Sequence, residues 1–336
     1  MDLQLIWYLL IGVLLAGYAV LDGYDLGVGA LYPFVTRNDR EKAALRSAIG
    51  PVWDGNEVWL ITGAGALFAA FPFVYATVFS GFYLAIMLLL FSLIFRAVSI
   101  EYRGKDPRWR RFWDIVFSVS STLAALLLGV AVGNIVRGVP LTPEGEFDGT
   151  LLTLLHPYNL LVGVLTLVLF AVHGAAWGVL RTEGALQLRL ARVRSRGALV
   201  FAALFLATTA ATFFAAPDRV DGVFGSVIGW AALAVVLGGV AFPFLRRDSE
   251  RASFLASAAS VLGLVGLWAV GNYPNLVPAL NNPDLSLTTA TSSSDLTLKV
   301  MLVIALIGVP IVLTYTVLVH WVFSGKVEAE TEGEGY

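Results

Sequence analysis

Nine long apolar stretches separated by polar segments run along the chain, at roughly 5–31, 52–74, 77–98, 113–136, 154–180, 197–216, 223–245, 253–273 and 299–323. A helix needs about 20 mostly apolar residues to cross the hydrocarbon core of a bilayer, and each stretch reaches that length with a few residues of slack. A transmembrane barrel would instead show segments of about 10 residues with alternating polarity. These runs are too long and too evenly apolar for that, so the pattern predicts an all-α polytopic membrane protein with nine transmembrane helices. The first stretch does not read as a cleaved signal. Its head, Met1-Asp2-Leu3-Gln4, lacks a positive region, and its apolar run is long and carries two Asp near the far end.

Composition agrees with this reading. The 336 residues are 58% hydrophobic and 14% charged, against about 45–50% apolar and about 25% charged in soluble domains. With 22 Lys+Arg against 24 Asp+Glu the net charge is −2, which argues against a nucleic-acid partner. The chain has no Cys, which removes thiolate metal sites, cysteine nucleophiles and iron–sulfur clusters, and only 3 His.

Lys and Arg alternate between loops. Arg37, Arg40, Lys42 and Arg46 fill the first, Arg103, Lys105, Arg108, Arg110 and Arg111 the third, Arg181 to Arg196 the fifth, and Arg246, Arg247 and Arg251 the seventh. The even loops hold Arg137, Arg219 and Lys299. By the positive-inside rule the N-terminus faces outside and the C-terminus the cytoplasm.

Residues 9–28 and 160–179 align without gaps at an offset of 151, with eight identities in 20 positions: Leu9, Leu10, Gly12, Val13, Leu14, Gly23, Gly27 and Val28 match Leu160, Leu161, Gly163, Val164, Leu165, Gly174, Gly178 and Val179. Both segments are expected to run from outside to inside. The chain then divides into a first four-helix unit (1–138), a second (154–273), an outer loop (274–298), a ninth helix (299–323) and an acidic cytoplasmic tail (324–336) expected to be disordered. The outer loop, rich in Pro, Asn, Ser and Thr, is read as either a cap or a partner contact. In the repeat alignment Asp22 falls on His173 and Asp25 on Ala176.

Charges inside a span are costly and usually face a protein interior or a water path. Asp22 and Asp25 lie one turn apart near the inner end of the first helix, where the helix dipole disfavours carboxylates. They need a basic partner, water or a bound proton. Asp54 and Glu57 share a face at the start of the second helix, where the dipole favours acids, so helix capping competes with chemistry there. Arg96 and Glu101 end the third helix and Asp114 opens the fourth, in the same layer. A wet acidic vestibule with a proton-linked role and a set of structural ion pairs both fit this pattern. A lone His on an apolar helix is more often structural than a ligand, and His173 is the weak candidate for a haem ligand. No Glu-x-x-His, His-Glu-x-x-His or P-loop pattern occurs.

The runs Leu21-Asp22-Gly23-Tyr24-Asp25-Leu26-Gly27-Val28-Gly29, Pro51-Val52-Trp53-Asp54-Gly55-Asn56-Glu57-Val58-Trp59-Leu60, Phe79-Ser80-Gly81-Phe82-Tyr83 and Phe95-Arg96 resemble subunit II of the cytochrome bd quinol oxidases. The specific motifs lie in the first hundred residues, while the second half matches in pattern. The resemblance implies a subunit of a bacterial inner-membrane oxidase that takes electrons from quinol and reduces oxygen to water. It implies that this chain binds no haem itself and pairs with a homologous subunit I that holds two haems b and a haem d. It further implies proton uptake from the cytoplasm through the acid at Asp54, with Asp25, Asp22 and Glu57 in support, and oxygen access near Trp59. Some members carry a structural quinone or a small single-helix third subunit, and lipid is a partner throughout. Glu57 stands where the family can have Gln, which weakens its claim to titrate. Two rivals stand beside this: a proton- or cation-coupled secondary transporter, and an assembly subunit whose acids only hold helices together.

Overall fold

A computed structural model of the chain describes residues 2–245 and 249–327. Arg246 and Arg247 of the seventh basic loop, and residues 328–336 of the acidic tail, lie outside the described residues. Helix α1 (Leu3–Val35) starts where the Asp2 carboxylate accepts the Gln4 N–H at 3.0 Å. A short polar α2 (Asp39–Ser47) follows, capped by Asn38 on the Glu41 N–H at 2.9 Å. Next come α3 (Trp53–Ala70), α4 (Pro72–Gly81), α5 (Tyr83–Tyr102) and α6 (Arg110–Arg137). A single turn, α7 (Leu151–Leu154), leads into α8 (Pro157–Arg181), α9 (Gly184–Ala215), α10 (Pro217–Phe224), α11 (Val227–Leu245), α12 (Glu250–Asn272) and α13 (Asp295–Val322).

Among the described residues, seven helices are long and apolar enough to cross a membrane, or eight if the bent pair α10 and α11 counts as one span. The stretch expected over 52–74 does not form one helix. It breaks at Phe71 (φ −133°, ψ 66°), because Pro72 lacks an N–H and clashes with a continuing helix. The first turns of α3 hold Asp54, Asn56 and Glu57, which lowers its apolarity. The third stretch, expected from 77, starts at Tyr83 because residues 72–81 belong to α4. Much of the fifth basic loop is also helical: α9 begins at Gly184, whose φ of +66° suits only glycine, and carries Arg189, Arg192, Arg194 and Arg196 out of the apolar zone.

The centre of the bundle is the crossing of α1 and α8. A Cβ on Gly27 would collide with the Phe170 carbonyl, and one on Gly174 with the Gly27 and Val28 backbone. The two backbones therefore touch, as small residues permit in membrane helices. α3, α5 and α6 gather around α1, and α9 and α12 around α8, with α11 on α12. Two short helices are alike. α4 and α10 are both short, both begin with Pro, and both follow a residue of nearly the same backbone conformation, Phe71 and Ala216 (φ −155°, ψ 64°).

At the N-terminal end of α1, residues 274–298 form a cap. Strand β1 (Asn275–Val277) pairs antiparallel with β2 (Leu287–Thr288). The Asn281 amide exchanges hydrogen bonds with Leu141 at 3.0 and 2.8 Å, and Trp7 Nε1 donates to the Leu298 carbonyl at 3.1 Å. α13 lies on the flank against α1 and α3, its apolar side chains facing outward, with Leu296 and Trp321 each 72% exposed.

Candidate functional site

Near the α2 end of the bundle, α1, α3 and α5 bury an ionic cluster. The guanidinium of Arg96 is fully buried, and its Nη2 donates to Asp22 Oδ1 at 2.6 Å and to Glu57 Oε1 at 2.7 Å. The Asp22 side chain is fully buried, whereas that of Glu57 is 21% exposed. One cation thus answers two carboxylates, one of which reaches the surface. Asp25, one turn beyond Asp22, is also buried, and its Oδ2 accepts from Asn56 Nδ2 at 2.8 Å. The same amide lies 2.8 Å from the Tyr24 hydroxyl, which meets His320 Nε2 at 2.9 Å and ties α13 to the cluster. Asp25 Oδ1 and the Nε and Nη1 of Arg96 are buried and have no protein hydrogen-bond partner.

The local sequence explains this placement. Gly23 and Gly27 press α1 against Phe170 and Gly174 of α8, while Asp22 and Asp25 meet α5 and α3. Helix α3 starts beside them, so Asn56 and Glu57 come from its first turn and a half.

A second charged cluster lies next to it. Asp114 accepts from Arg103 Nε at 2.6 Å, Lys42 Nζ at 2.8 Å and the Tyr32 hydroxyl at 3.1 Å. Arg103 also reaches Asp39 at 3.0 Å, and Arg189 pairs with Glu41. Burial opposes the charge on Arg103, but the hydrogen bond to Asp114 and the nearby Tyr32, Asp114 and Asp39 together hold the guanidinium above its usual range. Burial first, and the like charge of Arg103 second, pull Arg46 down. This cluster locks α2 and the α5–α6 turn onto the bundle.

The singled-out residues separate into two groups. Asp22, Asp25, Glu57 and Arg96 come together. Asp54 is exposed at the start of α3 and Glu101 is exposed at the end of α5, both outside the buried network. Trp59 is 5% exposed and covers Gly17, where a Cβ would strike its ring. Sequence reasoning missed Asn56, Tyr24 and His320 as members of the cluster. Asn56 and Tyr24 sit inside the quoted acidic runs, so position was a signal for them. Nothing in the sequence pointed to His320, which is brought in by α13 from the far end of the chain.

His173 is buried and His320 half-buried, and both ring nitrogens of each are hydrogen-bonded within the chain. His173 uses Nδ1 on the Ser257 hydroxyl at 2.8 Å and Nε2 on the Val20 carbonyl at 2.9 Å. His320 uses Nε2 on Tyr24 and Nδ1 on the Thr316 carbonyl at 2.8 Å. Among the described residues, no group of three or more His, Asp or Glu could hold a metal ion.

The profile of the family described as Cytochrome bd terminal oxidase subunit II matches residues 3–323. The chain is 37% identical to the cytochrome bd-I ubiquinol oxidase subunit 2 of Escherichia coli (strain K12), over 98% of this chain and 96% of that one. It is 33% identical to the cytochrome bd ubiquinol oxidase subunit 2 of Bacillus subtilis (strain 168), over 96% of each. Its fold is similar to a chain of the bd oxidase from Geobacillus thermodenitrificans, with a TM-score of 0.79 at 15% identity, covering 96% of this chain and 99% of that one. These matches run nearly end to end and leave the secondary-transporter reading without support. The chain belongs to the subunit II family of the cytochrome bd terminal oxidases.

Proposed function

We propose that this chain is the haem-free subunit of a quinol-oxidising, oxygen-reducing oxidase and that its buried acid cluster carries protons from the cytoplasm toward oxygen reduction in a homologous, haem-bearing subunit I. The observation that carries the reading is Arg96, held at 2.6 and 2.7 Å between the buried Asp22 and the partly exposed Glu57, beside the half-satisfied carboxylate of Asp25. Asp25 Oδ1 and the Nε and Nη1 of Arg96 are buried without protein partners, which suits water molecules within the cluster.

In this reading Asp54, exposed at the start of α3, gathers protons at the surface. Glu57 hands them inward past the Arg96–Asp22 pair, and Asp25 is the next carboxylate on the route. Each quinol releases its protons on the outer side, and reduction of oxygen to water consumes as many. Drawing the latter from the cytoplasm makes the reaction electrogenic without a pump. The haems supply the electron transfer and oxygen chemistry, and this chain's part is to hold and move protons.

The same proposal covers the topology. The nine spans are α1, α3, α5, α6, α8, α9, α11, α12 and α13, in the inner membrane of a bacterium, with the N-terminus outside and the C-terminus in the cytoplasm, as the alternating Arg-rich loops require. Two four-helix units are then followed by a ninth helix. The outward apolar faces of α3, α5 and α13 are available to subunit I, to a small single-helix subunit and to lipid. An apolar cavity of about 340 Å³ between α1, α3, α4, α6, α8 and α12 is the place for a structural quinone. Oxygen access beside Trp59 then runs along the α1–α3 seam.

Steady-state oxygen consumption and proton uptake by Asp54→Asn, in a complex of normal haem content, test the surface end of the route. Both should fall, and unchanged values would remove Asp54 from it.

A further inference from the structure

A second cavity, of about 170 Å³, opens at the end of the bundle opposite the acid cluster, between α6, α8, α9, α10, α11 and α12. Its walls are mostly apolar, with Val132, Val162, Leu165 and Leu264 among them. Four of its lining residues nevertheless carry a buried polar atom with no hydrogen-bond partner: Thr208 Oγ1, Arg219 Nε, Trp268 Nε1 and Asn272 Oδ1. Thr208 is 7% exposed and Asn272 1%. Native proteins leave few buried polar groups unsatisfied, so four around one cavity mark a place built for a polar group from outside the chain. Asn272 Nδ2 is committed to the Trp268 carbonyl at 2.9 Å, which leaves its Oδ1 as an acceptor.

The chemistry of the set is specific. Arg219 and Trp268 offer N–H donors and Thr208 an O–H, while Asn272 offers one acceptor. Among the described residues, Arg219 forms no ion pair. A single anionic oxygen satisfies the donors and the charge together, and a neighbouring hydroxyl or ammonium satisfies Asn272. The apolar walls then take a hydrocarbon chain. Beside the cavity, α10 turns into α11 through 94° at Gly225 and Ser226. Broken backbone of this kind is tolerated at membrane level where it lines a cavity. An oxidised quinone fits less well, since it brings no charge for Arg219 and no donor for Asn272.

We propose that this cavity is a binding site for one anionic glycerophospholipid, its phosphate held by Arg219, Trp268 and Thr208 and its head-group donor held by Asn272. The site stands apart from the acid cluster, so it goes beyond the proton-uptake reading and does not depend on it.

The test uses the intact oxidase complex, delipidated in mild detergent and then exposed to phosphatidylcholine vesicles with or without phosphatidylglycerol, with bound lipid read by native mass spectrometry. The wild-type complex should retain one phosphatidylglycerol in preference to phosphatidylcholine. Arg219→Gln should lower that retention at least tenfold, and Thr208→Val severalfold, with haem content unchanged. Equal retention by wild type and Arg219→Gln would overturn the proposal, as would quinone recovered in place of lipid. If Arg219→Gln fails to assemble, the wild-type comparison and Thr208→Val decide it. Equal retention of the two lipids by wild type, or full retention by Thr208→Val, would overturn the proposal.

Discussion

Helices α1 and α8, which touch at the centre of the bundle, place different chemistry at aligned positions. In the alignment of α1 with α8 at an offset of 151, Asp22 corresponds to His173. On α1 that position is a carboxylate paired to a buried guanidinium at 2.6 Å. On α8 it is an imidazole hydrogen-bonded to Ser257 and the Val20 carbonyl, with its ring stacked on Phe254 at 5.0 Å between centroids. Both sit at the glycine-lined crossing of the two helices. The difference lies in access and satisfaction. The α1 side continues through Glu57 to the surface and leaves polar atoms unpartnered, whereas both nitrogens of His173 are used in a closed pocket. Glycine-lined packing can therefore hold a charged site on one helix and a neutral hydrogen-bonded joint on the other.

The largest effect that could break this comparison is expected from Arg96→Met. Removing one partner of a buried ion pair typically costs about 3–5 kcal/mol, and here it strands two carboxylates, so thermal melting of the complex should drop sharply and its yield should fall. The triple change Asp22→Asn, Glu57→Gln and Arg96→Met should recover most of the stability but not the oxygen consumption. Recovery of both would make the cluster structural.

Next in size is Gly27→Ala at the shared crossing. The new methyl meets the Phe170 carbonyl, which is backbone and cannot swing aside, and overpacking of this kind costs about 1–3 kcal/mol. Melting should report the loss, with both halves affected because the contact belongs to both.

A smaller effect is expected on the neutral side. His173→Phe keeps the ring stack and gives up two hydrogen bonds, each worth about 1 kcal/mol, so stability should decline modestly and oxygen consumption should stay at the wild-type level. A loss of activity without a loss of stability would show that the second half shares the chemistry of the first.

The smallest concerns His156, the cap of α8, which accepts the Tyr158 N–H at 3.2 Å. Burial first, and Arg137 second, push its pKa below the ordinary 6.5. The folded state therefore takes up this proton less readily than the unfolded chain. Its contribution to stability is fully present above the unfolded value and is lost as pH falls through the lowered folded one. His156→Asn, which keeps a capping side chain, should flatten that part of the melting curve against pH.

How much of this was legible in the sequence depended on the range of the interaction. Long apolar runs announce membrane helices because the bilayer demands them, and the acids stood out because charges there are rare. The break at Phe71 hinged on Pro72, which lies inside an apolar run and leaves its average unchanged. The helical start of α9 was hidden by its Arg-rich composition, which reads equally as a loop. The pairing of Asp22 with Arg96 joins residues 74 apart, and periodicity carries no information on that. His320 is farther still from Tyr24, at 296 residues. The exposure of Asp54 and the burial of Trp59 likewise depend on where α3 packs, which only the assembled bundle decides.

The central claim is that the α1 cluster moves protons and does not merely hold helices together. Asp25→Asn tests it most directly, because the amide is isosteric and keeps its packing beside Asn56 while losing the ability to take up a proton. The measurement is oxygen consumption with simultaneous proton uptake in proteoliposomes, at matched haem content and melting temperature. The account predicts that both rates fall at least tenfold while assembly is normal. Wild-type rates in a normally assembled Asp25→Asn complex would contradict it.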